Sequence, residues 1–182
     1  RERRVGHDGS MTVLAVTVLG HDRPGIIAQA TSALAALGMN LEDSTMTLLR
    51  GHFAFMLICS GEADVDTVAD ALRPLTAEES LDVSVRAVKP EPEHVSAGSQ
   101  YQLVVHGGDR AGIVSALTEV IAAAGGNVTD LSTRLSGSLY VLVAEVDMPA
   151  DADVAQVSQR LGDVASTLGV GASLRPVDTD LL

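Results

Sequence analysis

The chain has 182 residues, 46% of them apolar but only 2% aromatic and none Trp, so its core must be built from Val, Leu, Ile and Ala. Twelve basic residues against 24 acidic ones leave a net charge of −12, which repels nucleic-acid phosphates and anionic membranes; the scarcity of aromatics also removes base-stacking platforms. The single cysteine, Cys59, rules out an internal disulfide and a multi-cysteine metal cluster, and no apolar run approaches the roughly 18 residues of a membrane helix.

Residues 1–10, RERRVGHDGS, hold three Arg and no apolar stretch, so they read as an extension or expression remnant rather than a signal peptide. The protein is accordingly expected to be cytoplasmic. Residues 12–19 form a short β-rich run, and the polar step GHDRPGII follows at 20–27. Ile27, Ala30, Leu34 and Leu37 then recur at the spacing of an amphipathic helix, which Gly38 should end in a left-handed conformation. Two strands are predicted near 40–49 and 52–60, joined at Arg50-Gly51. A second helix is predicted over about 64–78, with Asp64 as its N-cap, and a last strand over 81–88. The stretch KPEPEHVSAGS at 89–99, rich in Pro, Glu and small residues, marks a linker.

Beyond the linker the same unit is written again. At an offset of 87, Leu14, Val16 and Val18 fall on Tyr101, Leu103 and Val105, and Asp22, Gly25 and Ile26 fall on Asp109, Gly112 and Ile113. The polar step returns as GGDRAGIV, the helical stripe as Val114, Leu117, Ile121 and Ala124, and the strand turn at Ser136-Gly137. Later the offset becomes 89, which places a two-residue insertion near DMPADAD, in a loop. The chain is a tandem duplication: a first domain at 11–88 and a second at 100–178. The order β-α-β-β-α-β in each gives a four-stranded antiparallel sheet with two helices on one face, a ferredoxin-like α+β fold. Units of about 80 residues bury a modest share of their surface, so they should lean on each other or on a second copy, and a homodimer is expected.

The repeated step joins the first strand to the first helix, whose amino end carries unpaired N–H groups and partial positive charge suited to a carboxylate. Gly25 and Gly112 admit a close approach there, because they lack a Cβ. Asp22 and Asp109 read in two ways, as N-caps of the helix or as partners of a ligand ammonium. Arg23 and Arg110 are either solvated or turned to a ligand or interface. Asn40 and Asn127, at the start of the second strand, serve either a turn or a ligand. Ser44, Thr45, Thr47, Ser132 and Thr133 either line a polar pocket or face solvent. A carboxylate pocket with an ammonium partner is the chemistry of a free amino acid.

Catalysis has little to stand on. The chain has no G-x-S-x-G, no phosphate-binding loop and no G-x-G-x-x-G, and its one lysine, Lys89, lies in the linker. His21 and His106 do not match each other in the repeat, and no His-x-x-x-His or Cys-x-x-Cys exists, so no metal or cofactor is expected. Cys59, inside FAFMLIC, reads as a buried structural thiol.

The stretches VTVLGHDRPGIIAQATSALAALGMNLEDSTM and VVHGGDRAGIVSALTEVIAAAGGNVTDLS resemble the opening of an ACT domain, with D-R-x-G-[IL] followed one helix later by G-x-N-[IVL]. The resemblance covers nearly all of 11–178. A freestanding pair of such domains is similar to the family of the glycine-cleavage-system transcriptional repressor. It implies amino acid sensing at domain interfaces and action through a protein partner, such as a transcription factor or metabolic enzyme, without direct nucleic-acid contact. Carried across residue by residue, the resemblance nominates Asp22, Arg23, Gly25, Ile26 and Asn40, and Asp109, Arg110, Gly112, Ile113 and Asn127, as the ligand-binding wall. The second copy departs from the first with Ala111 for Pro24 and Gly108 for His21, so the two sites are expected either to differ in affinity or to include only one that functions. Two alternatives stay open: a ligand-free dimerisation module, and a detached regulatory subunit of an amino-acid or folate-linked enzyme.

Overall fold

The computed structural model describes residues 11–77, 81–89 and 98–177. The extension expected at 1–10, positions 90–97 of the expected linker, and positions 78 and 178 lie outside them. The chain divides into two units with the boundary after position 92. The first runs β1 (Thr12–His21), α1 (Ile26–Ala36), β2 (Asn40–Leu49), β3 (His52–Gly61), α2 (Val65–Leu72) and β4 (Leu81–Ala87). The second runs β5 (Ser99–Gly108), α3 (Ile113–Ala123), β6 (Asn127–Ser136), β7 (Leu139–Met148), α4 (Val154–Leu168) and β8 (Val170–Pro176). Each makes a four-stranded antiparallel sheet, ordered β2-β3-β1-β4 and β6-β7-β5-β8. The ferredoxin-like βαββαβ fold therefore occurs twice.

Strand periodicity decides which face is covered. Leu14, Val16 and Val18 alternate along β1 and pair with Cys59, Leu57 and Phe55 of β3, and all six are buried. Ile26, Ala30 and Leu34 of α1 and Val68 and Leu72 of α2 join them in one core, so both helices lie on that face. The second unit repeats this with Leu103, Val105, Leu142, Ala144 and Val146 under Ile113, Leu117, Ile121, Val157 and Leu161. Among the described residues, the opposite face of each sheet carries no helix of its own unit.

Several boundaries differ from the sequence reading. β1 extends through Gly20 and His21, so the first two residues of the polar step belong to the strand. The buried stripe of α1 begins at Ile26, whereas Ile27 is 40% exposed; α3 shows the same phase with Ile113 buried and Val114 37% exposed. The helix starts one residue after the N-cap Gly25, and its rotation there sets the stripe at 26, 30 and 34. α2 opens on Asp64 as expected, with the Thr67 amide donating to its carboxylate at 2.8 Å. It ends early at Leu72, because Pro74 cannot continue an α-helix, and a 3₁₀ turn over Arg73–Thr76 replaces it.

Gly38 and Gly125 do terminate α1 and α3, at φ 71 and 74. Met39 N–H donates to the Leu34 carbonyl and Gly38 N–H to that of Ala35, the paired bonds of a Schellman end. The β2–β3 turn has Arg50 at φ 52 and Gly51 at φ 85. In the copy the turn is at Gly137-Ser138 rather than Ser136-Gly137, since Ser136 still pairs with Leu139. The two extra residues of the second unit fall between β7 and α4, where 149–153 replaces the shorter 62–64.

Candidate functional site

The two polar steps build the same corner. Gly25 is the N-cap of α1 with φ 90 and ψ 0, and Gly112 is the N-cap of α3 with φ 92 and ψ −2. A residue with a Cβ is disfavoured in that region by about 1–2 kcal/mol, so the turn selects glycine. No side chain caps either helix. The first helical bonds are Gln29 N–H to the Gly25 carbonyl and Ala116 N–H to the Gly112 carbonyl. The amides of residues 26–28 and 113–115 consequently have no partner within the helix and sum their dipoles at its amino end. A Cβ built on Gly25 would meet nothing within 4 Å, so the space over this end is open.

Of the two readings of Asp22 and Asp109, the N-cap is overturned. The cap position is three residues later, at the glycine, which leaves both carboxylates off the helix amides and exposed. The backbone of Asp22 serves the turn instead, where its N–H donates to the Gly51 carbonyl at 3.1 Å and ties the corner to the β2–β3 connection. Arg23 donates to the Gln29 side chain at 3.0 Å. Arg110 lies over Gly169, the C-cap of α4, where its charge complements the carbonyl end of that helix.

Ile26 and Ile113 are 1% and 2% exposed, so their side chains belong to the core and only their amides face the corner. Asn40 and Asn127 are exposed but stand at the far end of their sheets. Asn40 pairs with Ser60, whereas the corner is level with Gly51 and His52, eight residues along β3 or about 27 Å away. Within a unit, then, the fold brings Asp22, Arg23, Gly25 and the Ile26 amide together and keeps Asn40 apart. The second unit does the same with Asp109, Arg110, Gly112 and the Ile113 amide.

His21 and His52 are cross-strand partners beside the first corner, with ring centroids 5.1 Å apart. His106 instead lies against Gly171. Ser44 and Thr133 project from the helix side of their sheets, opposite Leu57 and Leu142. Thr45 and Thr47 border a groove of about 380 Å³ on the open face of the first sheet, and Leu19, Ala54 and Met56 are among the residues that line it. That groove is largely apolar rather than polar. Cys59 is buried, and burial, aided by the nearby Glu42 carboxylate, pushes its thiol above the usual range, against a nucleophilic role. Among the described residues no three His, Cys, Asp or Glu side chains gather as metal ligands, and no helix is long and apolar enough to cross a membrane.

Sequence reasoning passed over Glu42 and Arg86 and read Lys89 only as part of the linker; all three border a cavity on the open face of the first sheet. A signal was present: Val13 and Ala15 are apolar on strand positions that become Gln100 and Gln102 in the copy.

Comparison with known proteins agrees with the duplicated architecture. A model of the ACT domain family matches residues 12–86 and again 100–174. The chain is 26% identical over 176 residues to the glycine cleavage system transcriptional repressor of Escherichia coli (strain K12), covering 93% of this chain and 92% of that protein. A UPF0237 protein of Methanopyrus kandleri is 43% identical over 79 residues, which is 42% of this chain and 88% of its own length. Among solved structures, an unknown protein from Galdieria sulphuraria is similar with a TM-score of 0.78 at 29% identity, over 92% of this chain and 99% of that one. A putative glycine cleavage system transcriptional repressor shares the fold with a TM-score of 0.68 at 20% identity, over 92% and 98% of the two chains.

Proposed function

Because the chain belongs to the ACT domain family through both of its halves, we propose that it is an amino-acid-sensing regulatory protein that acts through a protein partner. The observation that carries this reading is the pair of uncapped helix ends at Gly25 and Gly112. A ligand carboxylate there accepts from the amides of 26–28 or 113–115, and the exposed carboxylate of Asp22 or Asp109 meets its ammonium. Arg23 and Arg110 frame the corner through their own protein contacts. Asn40 and Asn127 contribute nothing to the corner of their own unit.

The name of the Escherichia coli relative supports a role in the control of amino acid or glycine metabolism. The net charge of −12 favours a protein partner, a transcription factor or metabolic enzyme, over direct nucleic-acid contact. The reading places the protein in the cytoplasm and assigns it no catalytic step.

A second reading has its own support. All ten residues of β2 are exposed, Met46, Leu48 and Leu49 among them, and an unpaired edge of this kind is a template for strand pairing with a second copy. On that reading the chain is a homodimerisation module that needs no ligand. Calorimetric titration of the twenty amino acids, with sizing chromatography with and without each, separates the two. Saturable heat with at least one amino acid supports sensing. No heat from any, with one unchanged dimer size, supports the module and sinks the sensor.

A further inference from the structure

The open face of the first sheet holds a cavity of about 410 Å³ whose walls carry charges of opposite sign. Its floor is Val13, Ala15 and Ile58; Glu42 borders one side and Arg86 with Lys89 the other. Strand register explains the layout. Arg86, Ala15, Ile58 and Asp43 are successive cross-strand partners and form one row over all four strands. The ends of that row are three strand spacings apart, about 14 Å between Cα atoms. Arg86 on one edge and Glu42 on the other therefore flank an apolar floor.

Glu42 is there because of a β-bulge. Leu41 pairs with Cys59 and Asp43 with Ile58, so Glu42 is the inserted residue, and a bulge of this kind re-aims a side chain. Among the described residues no ion pair joins Glu42, Arg86 or Lys89 to another side chain. Lys89 is the only lysine of the chain.

The duplication supplies an internal control. β8 keeps the cation, with Arg175 opposite Gln102, but the row continues to Glu145 and Asp130. Glu42 becomes Thr129, Val13 becomes Gln100, and Lys89 becomes Asp178 in the aligned sequence. The second unit has thus lost the apolar floor, the bulge carboxylate and one of the two cations.

We propose that this cavity binds a free amino acid with an apolar side chain. Its carboxylate lies toward Arg86 and Lys89, its ammonium toward Glu42, and its side chain on Val13, Ala15 and Ile58. Opposed charges fix the direction of a zwitterion, the apolar floor selects against polar side chains, and the volume lies within the range of small-molecule sites. The proposal rests on the reading of the chain as an amino acid binder, but it puts the ligand near the start of β1, far from the corner at its end.

The test is calorimetric titration of L-leucine into the intact chain, alongside N-acetyl-L-leucine and L-leucinamide, which each lack one charge. Glu42→Gln and Arg86→Gln change exposed side chains, with circular dichroism melts to verify folding, and Asp22→Asn serves as the corner control. We expect leucine to bind, each capped analogue to bind at least tenfold more weakly, and each cavity variant to weaken leucine at least tenfold. Leucine binding that persists in both cavity variants, or that is lost only with Asp22→Asn, overturns the cavity while leaving the corner reading intact. An absence of binding by leucine alone also overturns the cavity. If no amino acid binds anywhere, both readings fall together.

Discussion

Gly25 and Gly112 lie 87 positions apart and hold the same left-handed backbone, φ 90 with ψ 0 and φ 92 with ψ −2, each at the first residue before a helix. Conformation rather than crowding selects glycine at both, since a Cβ at Gly25 meets nothing within 4 Å and one at Gly112 meets only Ser115 Oγ at 3.9 Å. Gly25→Ala and Gly112→Ala should therefore each destabilise by about 1–2 kcal/mol, the usual penalty for a Cβ at such a φ. Urea denaturation measures this. Loss of under half a kcal/mol in both would show that the corner is not held in that conformation in solution.

Helix capping separates aspartates that look alike in the sequence. Asp64 and Asp153 accept from the Thr67 and Gln156 amides at 2.8 and 3.0 Å, whereas the Asp22 carboxylate caps nothing. Asp64→Ala and Asp153→Ala should each cost about 1 kcal/mol. Asp22→Ala should stay within about 0.5 kcal/mol of the parent while removing a charge from the proposed site. Equal losses for Asp22 and Asp64 in the same denaturation series would restore Asp22 to a capping role.

The buried thiol of Cys59 makes a pH-dependent prediction. Burial raises its folded-state pKa, so below the unfolded value the thiol is neutral in both states and stability is unaffected. Above roughly pH 8.5 the unfolded chain releases this proton while the folded chain retains it, and stability falls as pH rises toward the folded pKa. Cys59→Ala should lose some packing but show a shallower decline above that pH. Parallel alkaline limbs in thermal melts of parent and variant would assign the decline to other groups.

Much of the fold was legible because the chain states it twice. The strand runs, the Arg50-Gly51 turn, the Asp64 cap and the left-handed ends at Gly38 and Gly125 all follow from local patterns that the copy repeats. Finer features depend on tertiary geometry. The helix stripe starts at Ile26 rather than Ile27, because the αL glycine, not Asp22, sets where α1 begins and so its rotation. Pro74 shortens α2, although the apolar spacing alone runs past it. The nominated corner residues separate for a similar reason. Asn40 follows an 11-residue helix that carries the chain back along the sheet, so closeness in sequence becomes distance in space. The Glu42 bulge leaves no mark in composition or periodicity, and only the cross-strand register exposes it.

The central claim is that an amino acid carboxylate sits on the uncapped helix ends. Backbone amide spectra of the intact, isotope-labelled chain, titrated with each of the twenty amino acids, test it most directly. Saturable shifts of the 26–28 amides, the 113–115 amides, or both are predicted with at least one amino acid, together with their loss in Gly25→Ala or Gly112→Ala. Amides at both corners that stay fixed through every titration would contradict it.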